Sequence, residues 1–270
     1  MPGCRFRSDL QQSKAQSITR LTGFLLLWLF LGAFPGASWG VAAPLTGPEI
    51  MDRLDDLYRS DSSQGRMMMS ITTRQWQRTI SLEFWSKGRD RMLLKVLSPA
   101  KERGIALLRR GSQVWNYLPK VNRLVSLPPS MLATSCFGSH FTYDDLVKMR
   151  RWSIDYECKI TYVGGRAGEQ VVEVTSIPKP GAPVVWGKVI VLASRPDYLP
   201  LSIRYYDEDI KLVRRMLFSR VKKMGGRLLP SRMTVVSQDK PGEQTVVVYQ
   251  ELSFDMPLDD RLFSPASLSK

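Results

Sequence analysis

The stretch "RTISLEFWSKGRDRMLLKVL", residues 78–97, decides the fold. Ile80, Leu82 and Phe84 alternate with Thr79, Ser81 and Glu83, the period of two that turns one side of a strand towards a core. Lys87-Gly88 is a turn signal, and Met92, Leu94 and Val96 continue the alternation behind it. These six apolar residues are the expected lining of whatever the sheet encloses.

The same pattern recurs in both directions. Strand candidates lie at 105–110, 113–118, 122–127, 169–177, 186–193, 201–206, 210–221, 229–238 and 244–254. Another is "IDYECKITY", 154–162, where Ile154, Tyr156, Cys158, Ile160 and Tyr162 form the apolar set. The signals between them are short, such as Ser98-Pro99, Gly164-Gly165, Gly225-Gly226 and Lys240-Pro241-Gly242. They leave no room for helical crossovers, so the sheet is predicted to be mainly antiparallel.

Ten or more strands must pair as a sandwich or curl as a barrel, and the few helices decide between the two. Thr46 with Glu49 three residues on makes a capping box, Pro48 suits the first turn, and Ile50, Leu54, Leu57 and Tyr58 share one face. A second helix is expected after "HFT" and a short one at "LDDRLF". Such elements fill the mouth of an incomplete barrel better than they decorate a sandwich.

The first residues read differently. "MPGCRFRSDLQQSKAQSITR" carries four bases against one acid and runs into the apolar "LTGFLLLWLFLGAF", 21–34, followed by small residues. The apolar run is too short to span a bilayer, and the pattern is that of a secretory signal cut between Gly40 and Ala43. The expected organisation is a cleaved signal over 1–42 and one domain over 43–270, exported to the periplasm. The formal charge of +14 falls by three on cleavage, to +11. Outside the cytoplasm such a balance points to lipid headgroups or an acidic protein face, and not to nucleic acid.

Reactive constellations are scarce. A G-x-S-x-G match at 36–40 falls at the end of the signal. With one histidine, a hydrolase triad could use only His140; there is no C-x-x-C and no glycine-rich phosphate loop. In "CFGSHFTYDDL", 136–146, Asp144 and Asp145 read as first-turn acids of a helix that Thr142 caps. Adjacent helical side chains diverge by about 100°, so these two do not converge on one substrate. No enzyme, metal or cofactor is expected. In an oxidising compartment Cys136 and Cys158 are open to a disulfide worth about 3 kcal/mol, whereas Cys158 on an apolar strand face also suits a buried free thiol.

Taken together, "GIALLRRGSQVWNYLPKVNRLVSLPPSM", "CFGSHFTYDDL", "DYLPLSIRYYDED" and "LDDRLFSPASL" resemble the outer-membrane lipoprotein-sorting, or LolA-like, family over about Ile50 to Leu268. The most specific element pairs W-x-Y-L-P (Trp115, Tyr117, Leu118, Pro119) with G-S-x-F-x-Y-x-D-L (Gly138, Ser139, Phe141, Tyr143, Asp145, Leu146). His140 stands where the family usually has an acid, and Cys136 where it often has an aromatic. The resemblance implies an incomplete antiparallel β-barrel covered by helices, with an apolar cavity for acyl chains. It also implies a periplasmic carrier of lipid or lipidated protein that meets the membrane surface transiently and works with an inner-membrane transporter. Trp115, Tyr117, Phe141, Tyr143 and Leu146 are then expected near the cavity or its lid. The alternative is a sensor that docks on a membrane signalling partner.

Overall fold

The computed structural model describes residues 44–147 and 152–268, without the side chains of 146 and 147. The signal expected over 1–42 lies outside the described residues. Pro44–Lys270 forms one compact unit.

The 78–97 stretch is the hairpin that its alternation predicts. Strands β1 (Ser62–Thr72), β2 (Gln77–Lys87) and β3 (Arg91–Ser98) pair antiparallel, with Met69 opposite Ile80, Met67 opposite Leu82, Leu82 opposite Val96 and Phe84 opposite Leu94. This register puts all seven side chains on one face, and all seven are buried. Each contributes about 1.5–3 kcal/mol of apolar burial.

The meander continues through β4 (Ala106–Arg110), β5 (Gln113–Leu118) and β6 (Arg123–Ser126). A second one runs through β7 (Tyr156–Arg166), β8 (Glu169–Pro178), β9 (Lys188–Ser194), β10 (Pro200–Tyr206), β11 (Leu212–Met224), β12 (Arg227–Ser237) and β13 (Gln244–Phe254). Pairing of β1 with β13 joins the halves into one open, curled antiparallel sheet ordered β6-β5-β4-β3-β2-β1-β13-β12-β11-β10-β9-β8-β7. The fold is mainly β, as predicted. Because β6 and β7 are its two edges, the connection 127–155 must run from one edge to the other.

Helix α1 (Gly47–Asp56) starts as its capping box predicts: the Thr46 backbone N–H donates to the Glu49 carboxylate at 2.7 Å. It rests on α3 (Trp152–Asp155), β7 and β8. Gly47 is required there, since a Cβ would collide with the Cys158 carbonyl. Between α1 and α3 in the chain lies α2 (Tyr143–Val147). The predicted strand over 154–162 is corrected at both ends. Ile154 belongs to α3 and is exposed, and Ile160 and Tyr162 of β7 are exposed. Tyr156 and Cys158 are buried.

Two apolar clusters form on the sheet. The larger gathers the inward residues of both halves with Ile50 and Met51 of α1. The smaller sits against β3–β5, where Leu93, Ala106 and Leu108 meet Phe263 and Leu268 of the C-terminal segment. That segment contains the 3₁₀ turn Asp260–Phe263, capped by Asp259, where a short helix was predicted.

Candidate functional site

The alternation that buries Met67 and Met69 also points them into a pocket of about 300 Å³ set in the larger cluster. Met51 of α1, Met92 of β3, Met216 of β11 and Met233 of β12 complete a ring of six methionines around it. Thioether side chains are unbranched and polarizable, so they adapt to a guest of irregular shape.

Aromatic side chains close two sides. In one group Tyr58 stacks on Tyr249 at 5.1 Å, Phe84 meets Tyr249 edge-on at 6.1 Å, and the Tyr58 hydroxyl donates to the Pro230 carbonyl at 2.7 Å. In the other, Trp186 lies 5.1 Å from Tyr205, and Trp152 lies 5.3 Å from Tyr156 and 6.2 Å from Tyr205. All seven line the pocket.

Beside the second group is a buried ion pair. Arg214 is 4% exposed and donates two hydrogen bonds to Asp145, at 2.6 and 2.8 Å. Its guanidinium lies over the rings of Tyr205 at 4.3 Å and Trp186 at 4.8 Å. Asp145 also accepts from the Thr142 N–H at 2.8 Å, and its own N–H donates to the Thr142 hydroxyl at 3.1 Å. Burial works to raise the Asp145 carboxyl, but the Arg214 hydrogen bonds and charge, with those from Thr142, hold it below its ordinary value. One carboxylate thus caps α2 and anchors it to β11.

Two further polar clips join the connection to α1. The Trp152 N–H donates to Asp55 at 3.0 Å, and the Ser153 hydroxyl to Asp52 at 2.6 Å. Burial pushes the Asp55 carboxyl up to about 6 against the opposing pull of the Trp152 N–H, Arg59 and Arg89. His140 is a clip as well: its backbone N–H and Nδ1 lie 3.0 and 2.9 Å from the Thr245 hydroxyl, and Nε2 is 3.5 Å from Glu243. Burial lowers its imidazole, with Glu243 opposing. Among the described residues no group of three or more His, Cys, Asp or Glu could hold a metal ion.

A family model described as "-like: Uncharacterized protein" matches residues 88–270. Three solved structures share the fold. A domain from Vibrio parahaemolyticus assigned to outer membrane lipoprotein sorting is 21% identical, with a TM-score of 0.72 over 83% of this chain and 98% of that one. A DUF1329 family protein from Desulfovibrio piger is 23% identical, with a TM-score of 0.74 over 82% and 97%. A LolA superfamily protein from Nitrosomonas europaea is 19% identical, with a TM-score of 0.69 over 83% and 99%. The chain belongs to the family matched over 88–270, and its fold is LolA-like. No curated protein matches it.

Within this LolA-like fold the residues singled out in the sequence have distinct places. Phe84, Met92 and Phe141 line the pocket. Ile80, Leu82, Leu94 and Val96 are buried in the same cluster behind the lining, and Tyr143 packs against it. Trp115 and Tyr117 pack instead against the smaller cluster, and the Tyr117 hydroxyl donates to Asn122 at 3.0 Å. The side chain of Leu146 lies outside the described residues. Cys136 and Cys158 are two separate buried thiols rather than a disulfide. Cys136 sits in the loop that bridges to Thr142, and Cys158 on β7 accepts from the Ser176 hydroxyl at 3.3 Å; burial pushes both thiols up.

The pattern reading missed Arg214, Trp186, Tyr205 and most of the methionine ring. A signal for Arg214 was present, since a period of two through Met216 and Phe218 places it on the lining face of β11.

Proposed function

We propose that the protein is a non-enzymatic periplasmic carrier. It takes the acyl part of a lipoprotein or lipid into the methionine-ringed pocket and moves it between envelope components in concert with a membrane transporter. The observation that carries this reading is the pocket itself: about 300 Å³, lined by six methionines and nine aromatic rings, set in a curled sheet. An acyl chain gains about 0.8 kcal/mol per methylene removed from water, so it needs such a space to cross an aqueous gap. The fold shared with a domain assigned to lipoprotein sorting supports the same reading. The connection 127–155 then acts as the cover, held by polar clips that exchange for water at modest cost.

Mass spectrometry of protein purified from the envelope should show co-purifying lipid, and delipidated protein should take up a fluorescent fatty-acyl probe at one site. Protein that carries no lipid and takes up no probe would sink the proposal.

A further inference from the structure

The two ends of the sheet are not alike. In an antiparallel meander successive turns alternate between ends. The turns β1–β2, β3–β4, β5–β6, β8–β9, β10–β11 and β12–β13 share one end, and the remaining five share the other. Four of the six turns at the first end expose a large apolar side chain: Trp76 at 41%, Val121 at 66%, Val185 at 55% and Ile210 at 47%. None of the five turns at the second end does.

Three of these six turns are consecutive in the sheet and physically joined. Arg78, just behind Trp76 and 5.5 Å from its ring, donates to Glu102 of the β3–β4 turn at 3.0 Å. A Cβ on Gly104 of that turn would touch Pro119 of the β5–β6 turn. The joined turns, with the first residue of β6, expose Arg74, Lys101, Arg103, Lys120 and Arg123. Their one acid, Glu102, is held by Arg78. Other acids begin at the neighbouring turn 238–243, where Glu243 accepts from the Arg74 N–H at 3.3 Å. Cations ringing an exposed tryptophan and an exposed valine match an anionic bilayer surface, where ammonium and guanidinium groups meet headgroup phosphates and the amphipathic indole sits at the interface.

We propose that this corner, made by the turns at 73–76, 99–105 and 119–123, docks the protein on an anionic lipid membrane. None of the residues in these three turns lines the pocket, so the inference stands whether or not the pocket takes a lipid.

The test is co-sedimentation of protein purified from the cell envelope with vesicles of phosphatidylcholine, with and without about one third phosphatidylglycerol. Binding to the anionic vesicles alone is expected, weakening as salt is raised. Lys120→Glu with Arg123→Glu should lower the partition coefficient at least about tenfold, since each surface cation contributes roughly fivefold. Trp76→Ala with Val121→Ser, which leaves the charge unchanged, should also weaken binding. Arg110→Glu with Arg195→Glu, at the opposite end, changes net charge equally and should leave partition within about twofold. All variants alter exposed or half-exposed residues and should keep the parent's unfolding midpoint. Equal binding to neutral and anionic vesicles, no binding to either, or equal loss in both charge-reversed pairs would each overturn the proposal, the last by reducing the effect to net charge.

Discussion

The two faces of β3–β5 come from the same strands and the same alternation, yet one is filled and the other borders an open space. On one side Leu93, Leu108 and Trp115 are plugged by Phe263 and Leu268, large side chains carried on a short capped segment. On the other, Leu94, Leu107 and Val114 join the larger cluster that holds the pocket. The connection 127–155 meets that cluster both through the buried Leu127, Cys136 and Phe141 and through polar clips: Arg214 to Asp145, Trp152 to Asp55, Ser153 to Asp52 and His140 to Thr245. An apolar plug fills the space that it covers. A polar clip ties one segment to another without filling space.

Removing the strongest clip should have the largest effect. Arg214→Ala leaves Asp145 buried without its cation and should cost about 3–5 kcal/mol, read by denaturant unfolding. A loss below about 1 kcal/mol would mean that the connection is held some other way. Removing the main plug comes next. Phe263→Ala should cost about 3–4 kcal/mol through the cavity it opens, while acyl-probe uptake stays unchanged. A loss of uptake would show that the two faces are coupled.

Asp55 gives a smaller effect that depends on pH. Its folded pKa of about 6 lies above the ordinary value, so between about pH 4 and pH 6 the folded state holds more protons than the unfolded one. Stability from this group therefore falls as pH rises through that window. Asp55→Asn should be more stable than the parent by up to about 3 kcal/mol at pH 7.5, with the difference gone by pH 4. A difference that stayed constant with pH would contradict this account. Filling the pocket should be mildest in stability and plainest in function. Met233→Trp should change unfolding by less than about 1.5 kcal/mol yet lower acyl-probe affinity at least about tenfold. Unaltered uptake would place the guest elsewhere.

What could be read in advance follows the same division. Apolar alternation around Lys87-Gly88 and the Thr46–Glu49 cap are local signals, and both are realised. Whether an alternating strand is covered on one side is not local. Ile160 and Tyr162 keep the right period but stay exposed, and what lies over the Tyr162 ring is the Arg166 guanidinium at 4.8 Å and not an apolar layer. Trp115 and Tyr117 form the most conspicuous aromatic pair in the sequence, but which face they occupy depends on where the C-terminal segment comes to rest. Asp145 is legible as a cap, whereas its partner lies 69 residues away on β11. The distinction between plug and clip therefore had to come from tertiary contacts.

The pairing of β1 with β13 has a consequence for the order in which the chain can assemble. Every other neighbour in the sheet is also a neighbour in sequence, so this one seam carries the long-range pairing, with Ser63 opposite Phe254. A circular permutant that joined the native ends and opened between β6 and β7 would read β7 through β13 and then β1 through β6, with the C-terminal segment and α1 in the β13–β1 connection and every sheet neighbour also a neighbour in sequence. Its mean strand separation would be shorter, and it should fold faster than the parent to the same sheet. In topological terms the native chain is a simple meander that has been cut at the wrong place and sewn shut at the β1–β13 seam.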